Sequence, residues 1–295
     1  MLRALRHDRD SYSVAIVFAV LGFAAFSLMD AVSKILSSSH SLPQVLFFSG
    51  VFAVIFSLLL SRPLGGFKIH SAKGWAVVSA RGVMSAGMIW LTLYAISRMS
   101  IADVYSIRFT SAIITILLAL VFLRERPISL QWLSAVLGLA GVLIVLQPSG
   151  AMDSLAAVMA FAAALAHSAS TVMVRRWRAQ STPLADTMLP VVILVLITGA
   201  LLPERFIAPT PIEWLFYVGA GALLALGRLC LTLSIRMVQS SFIAPVQYTQ
   251  LFWSLLFGYL FFSAQPTLVS WMGYVLVLAS GVVGMMASRK ASPER

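Results

Sequence analysis

Ten apolar runs, each close to the length that crosses a bilayer, fill this chain and leave little over. They cover 12–36, 42–61, 75–97, 101–122, 129–147, 153–174, 183–202, 212–236, 241–262 and 267–287. No connection is longer than 62–74, so no extramembrane domain fits between the runs. Pro43, Pro63, Pro127, Pro148, Pro183, Pro203, Pro209, Pro211 and Pro266 fall at or near the junctions, where a missing N–H costs least. Composition agrees: 60% of residues are hydrophobic and 11% charged, against about 45–50% and about 25% in soluble domains. These values exclude a soluble, disordered or fibrous chain. The single cysteine, Cys230, excludes a disulfide framework and a Cys-based zinc site. Arg3, Arg6 and Arg9 precede the first run as they would a signal peptide, but the run continues through Lys34 to Leu36 and nine more follow. The first run is expected to stay as a helix.

The net charge of +11 reads as a topology signal, not a nucleic-acid footprint. Arg3, Arg6, Arg9, Arg62, Lys68 and Lys73 lie on one side if the runs alternate. So do Arg124, Arg126, Arg175, Arg176, Arg178, Arg236, Arg289, Lys290 and Arg295; only Arg98 and Arg205 fall on the other. This asymmetry predicts a multi-pass protein of the cytoplasmic (inner) membrane with both termini cytoplasmic.

The second half echoes the first. Ile96-Ser97-Arg98-Met99, Pro127 and Trp132 are matched by Ser234-Ile235-Arg236-Met237, Pro266 and Trp271 at nearly constant offset. Five runs per half is odd, so the second half must insert upside down. The expected fold is all-α and integral to the membrane: ten transmembrane helices as two inverted five-helix repeats, residues 1–148 and 149–295. Such repeats bind substrate near the midplane where they meet.

Three stretches carry a family likeness. They are Leu93-Tyr94-Ala95-Ile96-Ser97-Arg98-Met99-Ser100-Ile101-Ala102-Asp103, then Phe109-Thr110-Ser111, then Phe122-Leu123-Arg124-Glu125-Arg126-Pro127. Together they resemble the first-repeat signature of the drug/metabolite transporter superfamily, EamA type. Ala244-Pro245-Val246-Gln247-Tyr248-Thr249-Gln250-Leu251-Phe252-Trp253, with Gly258-Tyr259-Leu260-Phe261-Phe262, is similar to its second-repeat counterpart. The resemblance spans the chain and implies a carrier of the branch that includes S-adenosylmethionine, riboflavin, amino-acid and metallophore transporters. It implies that export is common, with uptake members in the same branch. Proline often follows the Phe-Thr-Ser triplet in that branch; here Ala112 does. A helix break in the fourth run is therefore open, whereas Pro245 retains one in the ninth.

Four basic residues escape the topology rule: Lys34, Arg81, Arg108 and Arg228 lie inside runs, as do Asp30 and His167. A central Arg, Lys or Asp costs about 2.5–3.5 kcal/mol on insertion scales, so each needs a cavity, a partner or an interface. Depth sorts them into an outer layer of Asp30, Lys34 and Arg108 and an inner one of Arg81, His167 and Arg228. Lys34 is expected to snorkel outward, Arg81 either snorkels inward or binds substrate, and Arg108 and Arg228 are expected to face a cavity. Asp30 is read as an ion-pair partner of Arg108 or Lys34 or as a proton site. His167 is either a packing residue or the proton carrier. Asp103 and Asp186 are expected as helix N-caps, and Glu125 as part of a gate or loop network. Trp90 and Tyr94, one turn apart, with Gln247 and Tyr248 after Pro245, complete a candidate substrate site of aromatic walls and a few polar groups. The small-residue faces Gly138-x-x-Gly141 and Gly281-x-x-Gly284 suit close helix packing.

The function expected is secondary active transport of a small anionic or zwitterionic metabolite, amino-acid-like or metallophore-like, in the export direction. The alternative is uptake of S-adenosylmethionine or riboflavin. An intramembrane enzyme would need a His-Glu-x-x-His, Gly-x-Ser-x-Gly or Gly-x-Gly-Asp motif, or a metal-binding carboxylate cluster; the sequence has none. A passive channel is separated from a carrier by saturable counterflow. No cofactor, metal or nucleic acid is expected. The partners are a small metabolite and the lipid bilayer, with protons and a second copy of the chain as open options.

Overall fold

The computed structural model describes residues 9–61, 66–148, 153–202, 206–263 and 266–291. Arg3, Arg6, Arg62, Arg205 and Arg295, which enter the charge asymmetry, and the junction residues Pro63 and Pro203 lie outside the described residues. The described chain is helical: α1 Arg9–Leu36, α2 Leu42–Leu59, α3 Ala72–Ile96, α4 Ile101–Phe109, α5 Ser111–Leu118, α6 Ser129–Leu146, α7 Ser154–Arg176, α8 Pro183–Ala200, α9 Pro211–Met237, α10 Ser240–Ile243, α11 Thr249–Phe262 and α12 Leu268–Ala291. The only β pairing among the described residues is an isolated bridge between Ile69 and Ser181. Among the described residues, eight helical stretches are long and apolar enough to cross a membrane, counting Ile101–Leu123 as one. Two remain of the ten expected. These are α12, whose apolar part is Leu268–Gly284, and the segment 240–262, which a turn of 3-10 helix over Ala244–Tyr248 divides. Pro245 stands in that turn, where its ring and missing N–H break the α-helical ladder.

The fourth run is divided as well, at Thr110, without a proline. Thr110 donates its hydroxyl back to the Ile107 carbonyl at 2.6 Å, a local bond that competes with the helical ladder. The neighbouring Phe109 carbonyl accepts from Gln247 Nε2 at 3.2 Å, and the Ser111 carbonyl accepts from the Ser168 hydroxyl at 2.9 Å. Acceptors supplied to distant side chains thus sustain a break that sequence left open. After α5 the chain widens into a π turn, Ala119–Leu123, and stops with Arg124 at φ +54°.

Long helices pack as neighbours: α1 with α9, α2 with α8 and α9, α3 with α7 and α8, and α6 with α12. The α1–α9 pair is antiparallel. Ser234 bonds the Ala15 carbonyl at 2.7 Å, while further along α1 Gly22 meets Gly227, where a Cβ on either would come within 3.1 Å of the other's carbonyl oxygen. Gly141 and Gly273 bring α6 and α12 together still more closely; a Cβ on either would sit 2.7 or 2.6 Å from the opposing carbonyl oxygen. Backbones at that separation tolerate only glycine.

Two expected N-caps are displaced. Ser100, not Asp103, caps α4 by accepting from the Asp103 N–H, and Thr182, not Asp186, caps α8. The hydroxyl precedes the carboxylate by one turn in each, which frees the acid for other bonds: Asp103 accepts from the Ser100 hydroxyl at 2.5 Å, and Asp186 reaches into the bundle.

Candidate substrate cavity

A cavity of about 400 Å³ runs between the helices of the two halves, lined chiefly by α1, α3, α4, α7 and α9 with α2 and the segment after Pro245. Its size lies within the range of small-molecule pockets, about 300–1,000 Å³. On α3 the lining falls on one stripe that includes Arg81, Met84, Ser85, Met88, Ile89 and Thr92, the spacing of a single helical face.

The ionisable groups of this wall form a ladder. Asp30 and Arg108 interact electrostatically at one end; His167 is within electrostatic range of both Arg108 and Arg228; Arg228 feels Arg81; and Arg81 ends the ladder on Asp186. Four of the residues proposed from sequence as deep charges, together with His167, therefore meet around one space. Their bonding differs sharply. Arg81 is 5% exposed and donates Nη1 to Asp186 Oδ1 at 2.8 Å. Asp186, 3% exposed, also accepts from Arg236 at 2.5 Å and from the Ser181 hydroxyl at 2.9 Å. Arg81 is thus no snorkelling or free basic group: it belongs to a buried triad that ties α3 to α8 and to the end of α9.

Among the described residues, Arg108 and Arg228 have no such partner. Arg108 contacts the Met88 sulfur at 3.6 Å and the Tyr105 ring at 5.5 Å, and its Nε is buried without a hydrogen-bond partner. Among the described residues, no hydrogen bond or ion pair engages the Arg228 guanidinium. The expected ion pair of Asp30 with Arg108 or Lys34 is also absent among the described residues. Asp30 instead accepts from Gln250 Nε2 at 3.4 Å, and Lys34 places its Nζ 4.3 Å from the centre of the Phe262 ring. Gln250 comes from the helix that follows the Pro245 break, and that placement lets it take the position sequence reasoning gave to a cation.

The remaining candidates divide. Gln247 lines the cavity and bonds Phe109 and Ser111, clasping the two broken segments to each other. Tyr248 faces the other way. It is fully buried against Ala112, Ile116, Ala135 and Tyr274, in a space that Gly138 leaves for its ring. It is a core residue, because the 3-10 turn rotates it away from its neighbour Gln247. Trp90 and Tyr94, 40% and 38% exposed, lie outside the α3 stripe and off the cavity wall; Tyr94 stacks near Arg98 at 5.9 Å. Sequence reasoning passed over Thr171 and Thr232, which line the cavity one turn beyond His167 and Arg228; that i, i+4 spacing is the signal that finds them. Glu125 accepts from the Ser240 and Ser241 N–H groups at 3.0 and 3.1 Å and from the Ser241 hydroxyl at 2.8 Å. It locks the end of the fourth run onto the start of α10.

Known proteins give this cavity its context. A solved crystal structure matches 97% of this chain and all of its own with a TM-score of 0.75 at 16% identity, which shows a shared fold. The pseudopaline exporter of Pseudomonas aeruginosa is 26% identical over 273 residues, 92% of this chain and 95% of its own. A riboflavin transporter of Rhizobium johnstonii is 28% identical, over 91% of this chain and 90% of its own. An S-adenosylmethionine uptake transporter of Rickettsia bellii is 22% identical, over 97% and 98%. All three are named as transporters of small molecules, and none as an enzyme. The model of the EamA-like transporter family matches residues 13–147 and again 154–286. With apolar helices throughout and this family model covering nearly its whole length, the chain is a multi-pass membrane protein of the EamA-like transporter family.

Proposed function

We propose that this protein is a secondary carrier that exports a small anionic or zwitterionic metabolite across the cytoplasmic membrane, with both termini cytoplasmic. The observation that carries the substrate class is the cavity wall, where, among the described residues, Arg108 and Arg228 lack carboxylate partners and Asp30 is the single carboxylate. Binding energy left unsatisfied by the protein is available to a ligand's acidic groups.

The carrier reading assigns ten spans to two inverted halves, 1–148 and 149–295. Its support is that the packing survives exchange of the halves. The α1–α9 pair becomes α7–α3, the α2–α9 pair becomes α8–α3, and α2–α8 and α6–α12 map onto themselves; all of these pairs pack. Gln247 bonds Phe109, which lies 138 residues earlier, the same offset as the repeated Arg-Met pair. Residues that touch their own repeat mates sit at the centre of such an exchange. The charge asymmetry of the loops favours cytoplasmic termini. Asp30 and His167, both in the cavity wall, are the candidates for proton coupling.

The experiment is counterflow in proteoliposomes. Trans-loaded acidic or zwitterionic metabolites should accelerate entry of the labelled compound with saturation, and Arg108→Ala and Arg228→Ala should each lower the flux at least about tenfold while inserting normally. Unsaturable flux points to a channel; undiminished flux in both variants removes the cavity assignment. Uptake of riboflavin or S-adenosylmethionine, which the names of two relatives favour, is tested by the same vesicles with the gradient reversed.

A further inference from the structure

The charged groups of the cavity differ in how far the protein satisfies them, and that difference defines a ligand more closely than net charge does. Arg81 is spent on Asp186. What remains is one carboxylate, Asp30, held among the described residues by a 3.4 Å bond from Gln250. Beyond it are two guanidiniums: Arg108, with a sulfur and a ring for neighbours, and Arg228, with no hydrogen-bond partner among the described residues. The complement of one anion and two cations is a ligand with one ammonium and two acidic groups.

Position along the bundle orders these heads. Ser234 opposite Ala15 and Gly227 opposite Gly22 fix the register of α1 against α9. In that register Arg228 stands level with Leu21, nine residues before Asp30, which is roughly 13 Å at 1.5 Å per residue. Helical side chains lean toward the helix N-terminus, which for α9 is the Asp30 end, so an extended Arg228 stem would shorten this gap. Asp30 and Arg108 share one end of the ladder, close enough to interact and too far apart to pair, which leaves space for a group that touches both. An α-amino-acid head supplies its ammonium to one and its carboxylate to the other.

We infer that the cavity recognises an extended α-amino dicarboxylate. Its amino-acid head lies between Asp30 and Arg108 and its remote acidic group on Arg228, with Thr171 and Thr232 beside that group. Met84, Met88 and Ile89 on the α3 stripe give the stem between the heads an apolar, adaptable wall. A plain amino acid would satisfy only one end, and a neutral ring compound neither. This inference rests on the carrier reading for its purpose but not for its measurement, because it concerns binding alone.

The test is equilibrium binding to the purified full chain by calorimetry with four probes: L-α-aminosuberate, L-glutamate, suberate and L-α-aminooctanoate. In α-aminosuberate the chain between the α-carbon and the remote carboxyl is as long as two extended residues, roughly 7 Å. Glutamate is shorter, suberate lacks the ammonium, and aminooctanoate lacks the remote acid. Aminosuberate should bind at least about tenfold more tightly than each of the other three, the loss expected for one charge-assisted bond. Arg228→Gln should erase the margin over aminooctanoate and leave that over suberate; Asp30→Asn should do the reverse; Arg228→Lys should recover part of the first. Equal binding of glutamate, a rank order unchanged in both variants, or no binding by any of the four overturns the inference. If a variant fails to fold, the wild-type rank order decides by itself. Saturable counterflow of some other metabolite with none of this ranking would leave the carrier standing and the amino-dicarboxylate assignment refuted.

Discussion

Removing Asp186 should expose how unevenly the two arginines depend on it. Arg236 gives Nη1 to the carboxylate, but its Nη2 also reaches the Arg178 and Ser181 carbonyls at 2.6 and 2.9 Å, so it keeps acceptors without Asp186. Arg81 has no other hydrogen-bond partner among the described residues: its Nε is already buried and unbonded. Asp186→Ala therefore strands one guanidinium in a site where it is only 5% exposed, and breaking a buried pair from one side costs about 3–5 kcal/mol. Asp186→Asn retains an acceptor and loses the charge, so it should cost about half of that, in the range of ~1.5–3 kcal/mol for a bond to a charged group. The diagnostic variant is the double one. Arg81→Met removes the stranded charge and keeps most of the stem's volume, so Arg81→Met with Asp186→Ala should recover most of the loss, as apolar replacement of buried pairs does. The assay is reversible SDS unfolding of wild type, Asp186→Ala, Arg81→Met and the double variant, followed by tryptophan fluorescence, with the coupling taken from that cycle. A double variant no more stable than Asp186→Ala alone, or a coupling below about 0.5 kcal/mol, would refute the assignment of the penalty to Arg81.

Other sites give equally direct outcomes. Gly138→Ala sets a methyl group into the Tyr248 ring and should destabilise by about 1–3 kcal/mol in the same unfolding assay, the cost of overpacking. Tyr248→Phe, by contrast, should be neutral within ~0.5 kcal/mol or stabilising, because the buried hydroxyl it removes has no hydrogen-bond partner among the described residues; a large loss would reveal a bond or a ligand contact there. Trp90→Ala should leave counterflow kinetics within about twofold of wild type, since the ring stands off the cavity wall, whereas Arg108→Ala should not. Glu125→Gln should loosen the start of α10, read as faster amide exchange at Ser240 and Ser241, whose N–H groups it holds.

Much of this architecture is legible in the chain because membrane helices must be apolar over a fixed length, and prolines mark where they end. Helix content and the approximate bounds follow from that constraint, and the insertion cost singles out Asp30, Arg108, His167 and Arg228; that they line one cavity is seen only in the structure. What escapes is orientation about a helix axis at places where the period changes. Gln247 and Tyr248 are adjacent and similar in promise, yet the 3-10 turn sends one to the cavity and the other to the core. The period-3.6 stripe of α3 likewise separates Met88 and Thr92 from Trp90 and Tyr94, a division that spacing contains but that residue type alone disguises. The break at Thr110 depends on Gln247 and Ser168, which no local reading of the fourth run contains.

The arginines show where the limit lies. Arg81, Arg108 and Arg228 are alike by residue type and by the apolar runs that hold them, and the insertion cost applies to each. One is neutralised and two are not, and the difference is a carboxylate 105 residues away from Arg81 in sequence. That carboxylate is available only because Thr182 takes over the capping of α8; had Asp186 capped its own helix, its charge would have been directed at backbone N–H groups and away from α3. A small choice of hydroxyl before acid at a helix start thereby decides which guanidinium becomes structure and which remain open to a ligand.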